Sequence, residues 1–116
     1  MDVINLLRIN DFDIEISKGD AAEITFCFVE YDLDAGCTAT MALRRTPNGS
    51  SIIWEKQIDI VDDKATFALT NEDTGITSGT YFWDLRVIFP NENTFTPIEP
   101  HVFKILEVVG SGRRSV

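Results

Sequence analysis

Apolar and polar residues alternate along most of this chain, which is the period-two pattern of β-strands with one face buried. Both faces of the second run are fairly apolar, so that strand is predicted to lie centrally in a sheet. The last run is also apolar on both faces. The runs occupy residues 12–17, 24–29, 37–44, 52–60, 65–69, 81–88 and about 101–109.

Turn-forming residues separate these runs. In one turn, Pro47 suits the first corner of a type I turn and Gly49 suits the left-handed position that closes a bulged hairpin. The one predicted helical piece is a single turn over residues 70–75, because Thr70 and Asp73 fit a capping box. The other turns are predicted at residues 18–20, 62–63 and 90–93, and Pro97 and Pro100 flank a kinked entry to the last strand.

Seven to eight short strands without a longer helix predict an all-β, antiparallel sandwich. Tyr81 follows the helical turn at the start of a late strand, where immunoglobulin-like sandwiches place a tyrosine whose hydroxyl bonds to upstream backbone. We therefore expect an immunoglobulin-like sandwich, with that bond falling within residues 72–79. Trp83 stands where antibody domains have their second inter-sheet cysteine. The predicted core is Phe26, Phe28, Met41, Phe67, Leu69, Trp83 and Leu85.

Length and charge narrow the function classes. The 116 residues suit one domain, predicted to span residues 1–109 with a flexible tail over 110–116. The formal net charge of -9 disfavours nucleic acid and anionic membranes as partners. No apolar stretch is long enough to span a bilayer, and the N-terminus lacks the pattern of a signal peptide. We expect the protein to be made in the cytosol.

Residues with catalytic or metal-binding potential are sparse. His101 is the single histidine, and no Gly-x-Ser-x-Gly nucleophile elbow accompanies it. Residues 32–36 resemble the start of a calcium loop, but Leu43 stands where an EF-hand loop needs glutamate. The carboxylates at positions 11, 13, 15, 59, 62 and 63 are predicted at turns or on solvent faces. We expect no catalytic residues, cofactor, metal or small-molecule substrate, and hence a non-enzymatic protein.

Two features leave alternatives open. Cys27 and Cys37 pair in a disulfide if their segments form a hairpin in the right register, and otherwise pack as thiols. Exposed aromatic side chains in one row would form a carbohydrate- or cell-surface-binding face, which is the alternative function. The aromatic candidates for that face are Tyr31, Trp54, Phe82, Trp83 and Phe95.

The order of several segments resembles a known family. A Lys18-Gly19-Asp20 turn precedes an early strand, and a later strand over residues 39–45 ends in two arginines. Two further segments follow, over residues 65–70 and 78–85, and the second of them contains Gly79-Thr80-Tyr81. This order resembles the N-terminal immunoglobulin-like domains of phage baseplate upper proteins and related tail or virion modules.

The resemblance implies an assembly role without catalytic residues. Such a module is made in the bacterial cytoplasm and built into a virion, where its partners are other virion or tail proteins or further copies of itself. Arg113 and Arg114 lie on a Gly-Ser tail of an acidic chain. Two interpretations stay open: these arginines pair with carboxylates of a neighbouring subunit, or the tail is a disordered end with no role.

Overall fold

The computed structural model describes residues 8–10, 12–28, 33, 36–47, 49 and 51–107. Within them it has eight strands and one helical turn. In chain order these are β1 (Arg8–Asn10), β2 (Asp13–Ser17), β3 (Ala22–Cys27), β4 (Thr38–Arg44), β5 (Ile52–Asp59), β6 (Lys64–Leu69), α1 (Asn71–Thr74), β7 (Gly79–Ile88) and β8 (Thr94–Leu106).

The strands form two sheets of very different size, packed as a sandwich. The large sheet has the order β1-β2-β8-β7-β4-β5, and the small sheet contains β3 and β6. The predicted all-β, sandwich-like architecture is therefore confirmed. The prediction that the second run is a central strand is wrong, because β3 has β6 as its only neighbour among the described strands.

The expectation of purely antiparallel pairing is also wrong. β2 pairs in parallel with β8, with Ile14 opposite Phe103 and Ile16 opposite Ile105. The other strand pairs are antiparallel. A parallel pair needs a long connection, and β2 and β8 meet that condition because they come from opposite ends of the chain. Local alternation carries no information about such a pairing.

The last strand begins at Thr94, earlier than the predicted start near His101. Between Trp83 and Val87 the register with β7 shifts twice, and each shift adds one residue to β8. Pro100 lies in the first of these bulges and Pro97 in the second. Because a proline cannot donate to the ladder, bulges are where a strand tolerates it. The two prolines therefore lie within the strand and do not precede it.

The core fills the space between the sheets. Ile14, Ile16, Ala39, Val87 and Phe103 are completely buried and come from four strands of the large sheet. Six of the seven predicted core residues are buried: Phe28, Met41, Phe67, Leu69, Trp83 and Leu85. Phe26 is the exception, being half-buried at the open edge of β3.

The helical turn agrees with its predicted capping box. The Thr70 side chain accepts from the Asp73 backbone at 3.2 Å, and the Asp73 carboxylate accepts from the Thr70 backbone at 2.7 Å. The completely buried Thr74 donates its hydroxyl to the carbonyl of Asp20, and the Gly19 amide donates to the carbonyl of Thr74. The turn after β2 and the turn after β6 are thereby joined.

One predicted turn differs from expectation in its conformation, and another agrees with it. Gly49 does not adopt the left-handed conformation predicted for it; its amide bonds back to the carbonyl of Thr46. At the predicted turn over residues 62–63, Asp62 (φ 54) and Asp63 (φ 60) adopt the left-handed conformation, and the flanking Val61 and Lys64 exchange backbone hydrogen bonds of 3.0 Å. This is a two-residue turn with positive φ at both centres, as in tight hairpins, and it carries the chain from the large sheet to the small one.

Candidate interaction surface

Trp83 connects the two sheets at the centre of the sandwich. Its side chain is 1% exposed, and its indole nitrogen donates to the carbonyl of Phe12 at 2.8 Å. Its ring lies 5.7 Å from the Phe26 ring of β3, centroid to centroid. Two positions earlier, the hydroxyl of Tyr81 donates to the carbonyl of Thr77. The predicted bond from Tyr81 to backbone within residues 72–79 is therefore confirmed.

The outward face of the small sheet is exposed and mostly uncharged. At its centre, the hydroxyls of Thr25 and Thr66 hydrogen-bond to each other at 2.8 Å. Glu23 lies at one end of the face and Lys64 at the other, since the antiparallel register places Lys64 beside Cys27. The exposed residues of this face are Glu23, Thr25, Cys27, Lys64, Thr66 and Ala68. We call it the small-sheet face.

The outward face of the large sheet is more polar and is tied together by its own side chains. Arg44 and Asp84 form an ion pair at 3.2 Å, with side chains 12% and 8% exposed. The same guanidinium donates to the carbonyl of Gly49. Gln57 donates to the hydroxyl of Thr38 at 3.0 Å. Arg44, Asp84 and Gln57 on this face thus have hydrogen-bond partners within the chain.

Asp73 links the helical turn to β5. Burial alone raises the pKa of Asp73, but hydrogen bonds from the Thr70 backbone and side chain and from Lys56 outweigh it and leave the pKa below its ordinary value. The Lys56 ammonium lies 2.9 Å from the carboxylate. Trp54, beneath that ammonium, donates its indole proton to the Asp73 carbonyl at 3.1 Å. These contacts join the helical turn to β5 through one carboxylate oxygen and the backbone carbonyl of Asp73.

A groove of about 310 Å³ runs beside β3 on the side away from β6. Its walls come from β3, β7, β8 and the turn before β2, and none of them comes from β6. We call it the β3 groove; most of its lining is apolar, and it includes Phe12, Phe26, Phe28, Pro97 and Ile98.

Sequence reasoning missed this groove. The alternation of residues 12–17 predicts Phe12 as an inward strand residue, yet it lies in a turn with φ 72 and is 49% exposed. The groove also depends on which strands lack neighbours, which is a long-range property. The signals that were present are Pro97 and Pro100, which mark irregular backbone on one of its walls.

The residues considered for chemistry are scattered. His101 lies beside the groove, with its ring edge-to-face against Phe12 and its Nδ1 against the Glu99 carbonyl. Cys27 is exposed on β3, Cys37 is buried before β4, and both are free thiols, so the possible disulfide between them is not formed. No group of three histidine, cysteine or acidic residues is placed to hold a metal ion within the described part of the chain.

Other predicted positions lie apart or outside the described residues. Trp83 is in the core, Trp54 is edge-to-face with Phe103, and Phe95 stacks on Phe89. Phe82 alternates with the buried Tyr81 and Trp83, so it faces outward from the large sheet. Tyr31, Arg113 and Arg114 lie outside the described residues, as do most of residues 32–36.

Comparisons with known proteins give no match to a family model, to a curated protein or to a solved structure. Among the described residues, no helix has the length and apolar character needed to cross a membrane.

Proposed function

We propose that this chain is an immunoglobulin-like, non-catalytic module that works through protein–protein contacts in the assembly of a phage or prophage particle. The observation that carries the proposal is the small sheet, in which the described residues form two strands, each paired on one side, with a largely uncharged outward face. Unprotected strand edges of this kind are sites at which another chain can add.

Strand order supports the immunoglobulin-like identity. In that fold one sheet contains strands C, F and G, with C′ beside C in variable-type domains, and the other contains B and E. Here β8-β7-β4-β5 corresponds to G-F-C-C′, and β3-β6 corresponds to B-E. The hydrogen bond from Tyr81 to Thr77 corresponds to the tyrosine corner. The contact between Phe26 and Trp83 bridges the two sheets where antibody domains have their disulfide.

The resemblance to phage baseplate and virion modules supports the assembly role. The Gly19-Asp20 turn, one of the features that carry the resemblance, receives hydrogen bonds from Asn71 and Thr74 of α1. These contacts stabilise the end of the sandwich and bring in no reactive group. The chain's side chains are thus used for packing and surface, which suits a module that positions other proteins.

Carbohydrate binding has less support as the alternative. A sugar-binding platform needs exposed rings in one plane, and the described aromatic candidates lie in the core, under Lys56, on the outward face of the large sheet and beside Phe89. Each of these places is separate from the others, so together they do not offer a sugar one continuous stacking surface.

Detection of the protein in purified particles of the phage or prophage that encodes it tests the proposal. An antibody should detect the chain in particles banded on a density gradient. Thr66→Lys, on the small-sheet face, should lower incorporation. Gln57→Lys is the matched control, because Gln57 is also exposed and also makes one side-chain hydrogen bond to its neighbouring strand.

Two results would contradict the proposal. One is a chain that is absent from particles and also sediments as a strict monomer at micromolar concentration. The other is incorporation that Gln57→Lys reduces and Thr66→Lys leaves unchanged, which would move the contact to the large sheet.

A further inference from the structure

The open edge of β3 and the β3 groove lie side by side. β3 is hydrogen-bonded along one edge to β6, from Ala22 opposite Leu69 to Cys27 opposite Lys64. No other described strand lies along its second edge. A strand added there would pair with the backbone of β3 and direct alternate side chains towards the sandwich interior, over the groove.

The large sheet extends beneath this edge. Phe26 of β3 packs against Trp83 of β7, so β3 lies over β7. Past β7 the large sheet continues through β8, β2 and β1. These three strands extend the sheet by about 14 Å at the usual strand spacing. If two copies paired their β3 edges about a twofold axis, strands β8, β2 and β1 of each copy would lie beneath the shared edge. The large sheets of the two copies would then collide. The space above the extension suits a single extended segment.

The lining of the groove defines the central residue of that segment. Phe12, Phe26 and Pro97 present apolar surface, and the buried Phe28 and Ile98 complete the lining. The volume of about 310 Å³ is at the lower end of the range for ligand pockets, so it is larger than one side chain and accommodates an apolar side chain together with the adjoining backbone. The occupant is therefore an extended segment with an apolar residue at its centre.

Charges around the groove define the flanking residues. Asp13 follows Phe12 and Glu99 follows Ile98 in the chain, and both acidic residues are exposed. The Asp13 carboxylate accepts a hydrogen bond from the Val102 amide at 3.1 Å. Asp63 and Lys64, of opposite charge, lie on the β6 side of β3. Charge complementarity therefore favours basic residues on both sides of the central apolar one.

Phe12 is held at the groove in a strained conformation. A positive φ is unfavourable for a bulky side chain and is retained where surrounding contacts impose it. Here the Trp83 indole fixes the Phe12 carbonyl, and the His101 ring packs against the Phe12 ring. The result is a half-exposed aromatic ring on the groove wall, the type of residue that often dominates binding energy.

We propose that the β3 groove accepts one extended segment of a partner protein, apolar at its centre and basic on both sides, which adds as a third strand to the β3–β6 sheet. This proposal rests on the proposed assembly function, because the segment would belong to a neighbouring protein of the particle.

Fluorescence anisotropy with a labelled heptapeptide series tests the proposal. The probes are Lys-Val-Lys-Xaa-Lys-Val-Lys, in which Xaa is Leu, Phe, Ala or Glu. The Leu or Phe peptide should bind best and the Glu peptide worst. A Leu peptide N-methylated at alternate amides should lose most of its binding, because it cannot complete the strand ladder. If the lysines bound nonspecifically to the acidic surface, all of these peptides would bind with similar affinity.

Two changes to the protein locate the site. Phe12→Ala should weaken binding of the Leu peptide about tenfold. Ile52→Ala is the matched control, since Ile52 is 45% exposed at the far edge of the large sheet, and it should leave binding unchanged. Alkylation of the exposed Cys27 with a bulky maleimide should also block binding, and bound peptide should slow that alkylation.

The proposal is overturned if no member of the series binds, if the N-methylated peptide binds as well as its parent, or if Phe12→Ala and Ile52→Ala have equal effects. Detection in particles is an independent measurement. A chain found in particles whose groove binds no peptide would retain the assembly function and lose this site.

Discussion

The two sheets of this sandwich differ in how completely their strands are paired. β7, the central strand of the large sheet, has β8 on one side and β4 on the other, and its inward residues Tyr81, Trp83, Leu85 and Val87 are buried. Among the described strands, β3 has one neighbour, and it carries Phe26 half-buried and Cys27 exposed. The difference separates two roles: the large sheet provides the stable core, and the small sheet provides an open edge.

The edges of the two sheets differ in the same way. β5, an edge strand of the large sheet, presents Glu55, Gln57 and Asp59 to solvent. Charged side chains on an edge discourage the addition of another strand. β3 presents Glu23, Thr25 and Cys27, of which one is charged. Of these two edges, the less protected one borders the apolar groove.

Truncation of Trp83 should have the largest effect on stability. Trp83→Ala should lower the free energy of unfolding by about 3–5 kcal/mol, because it opens a cavity between the sheets. Phe26→Ala should cost clearly less, because Phe26 is only half-buried. Urea unfolding followed by circular dichroism measures both. Equal losses would remove the claimed difference between β7 and β3.

Loss of the Tyr81 hydroxyl should have a smaller effect that is confined to the corner. Tyr81→Phe should lower the free energy of unfolding by about 1 kcal/mol, since it removes the hydrogen bond to Thr77. Thr80→Val removes an exposed hydroxyl one position earlier and serves as the control. The same unfolding assay compares them, and a neutral Tyr81→Phe would show that the corner does not stabilise β7.

Asp73 should make stability depend on acid pH. The pKa of Asp73 is lower in the folded chain than in the unfolded chain. Its contribution to the free energy of unfolding is therefore fully present above the unfolded-state pKa. That contribution is lost below about pH 4, as pH falls through the folded-state pKa. Asp73→Asn should therefore be less stable than wild type at pH 7, by about 0.5 kcal/mol because the group is largely solvent-screened, and the gap should narrow by pH 3.

Thermal unfolding across this pH range measures the gap between wild type and Asp73→Asn. Glu72→Gln, in the same helical turn, is the matched control. A gap that stays constant with pH would mean that the contacts of Asp73 with Lys56 and Thr70 do not favour its charged form.

The smallest expected effect is a gain in stability. Asp63→Gly should stabilise the chain by a few tenths of a kcal/mol, because glycine adopts positive φ without steric cost. Asp59→Gly is the control; Asp59 ends β5, where glycine weakens a strand, so it should destabilise. Melting temperatures of the two variants check the opposite signs. Destabilisation by Asp63→Gly would show that the aspartate side chain matters more than its backbone conformation.

Sequence reasoning succeeded where the physics is local. Alternation predicted seven of the eight described strands and missed β1; Thr70 and Asp73 predicted the helical cap, and the position of Tyr81 predicted its bond to nearby backbone. It failed where distant segments decide the outcome. The parallel pairing of β2 with β8 and the missing neighbour of β3 depend on residues far apart in the chain.

The groove could not be predicted for the same reason. Phe12 follows the alternation of its strand but lies in a turn, because the Trp83 indole, 71 positions away, fixes its carbonyl. Pro97 and Pro100 indicated an irregular strand entry, and the bulges that accommodate them became clear only from the register with β7. A binding site between segments so distant leaves no contiguous motif.

Hydrogen–deuterium exchange tests the central claim most directly. The intact chain is compared with and without an excess of the Leu-centred heptapeptide, and exchange is followed strand by strand. The account predicts slower exchange in β3, within Ala22–Cys27, and unchanged exchange in β5, within Ile52–Asp59. Unchanged exchange in β3, or equal slowing in β5, would contradict the claim that the open edge of the small sheet receives the partner strand.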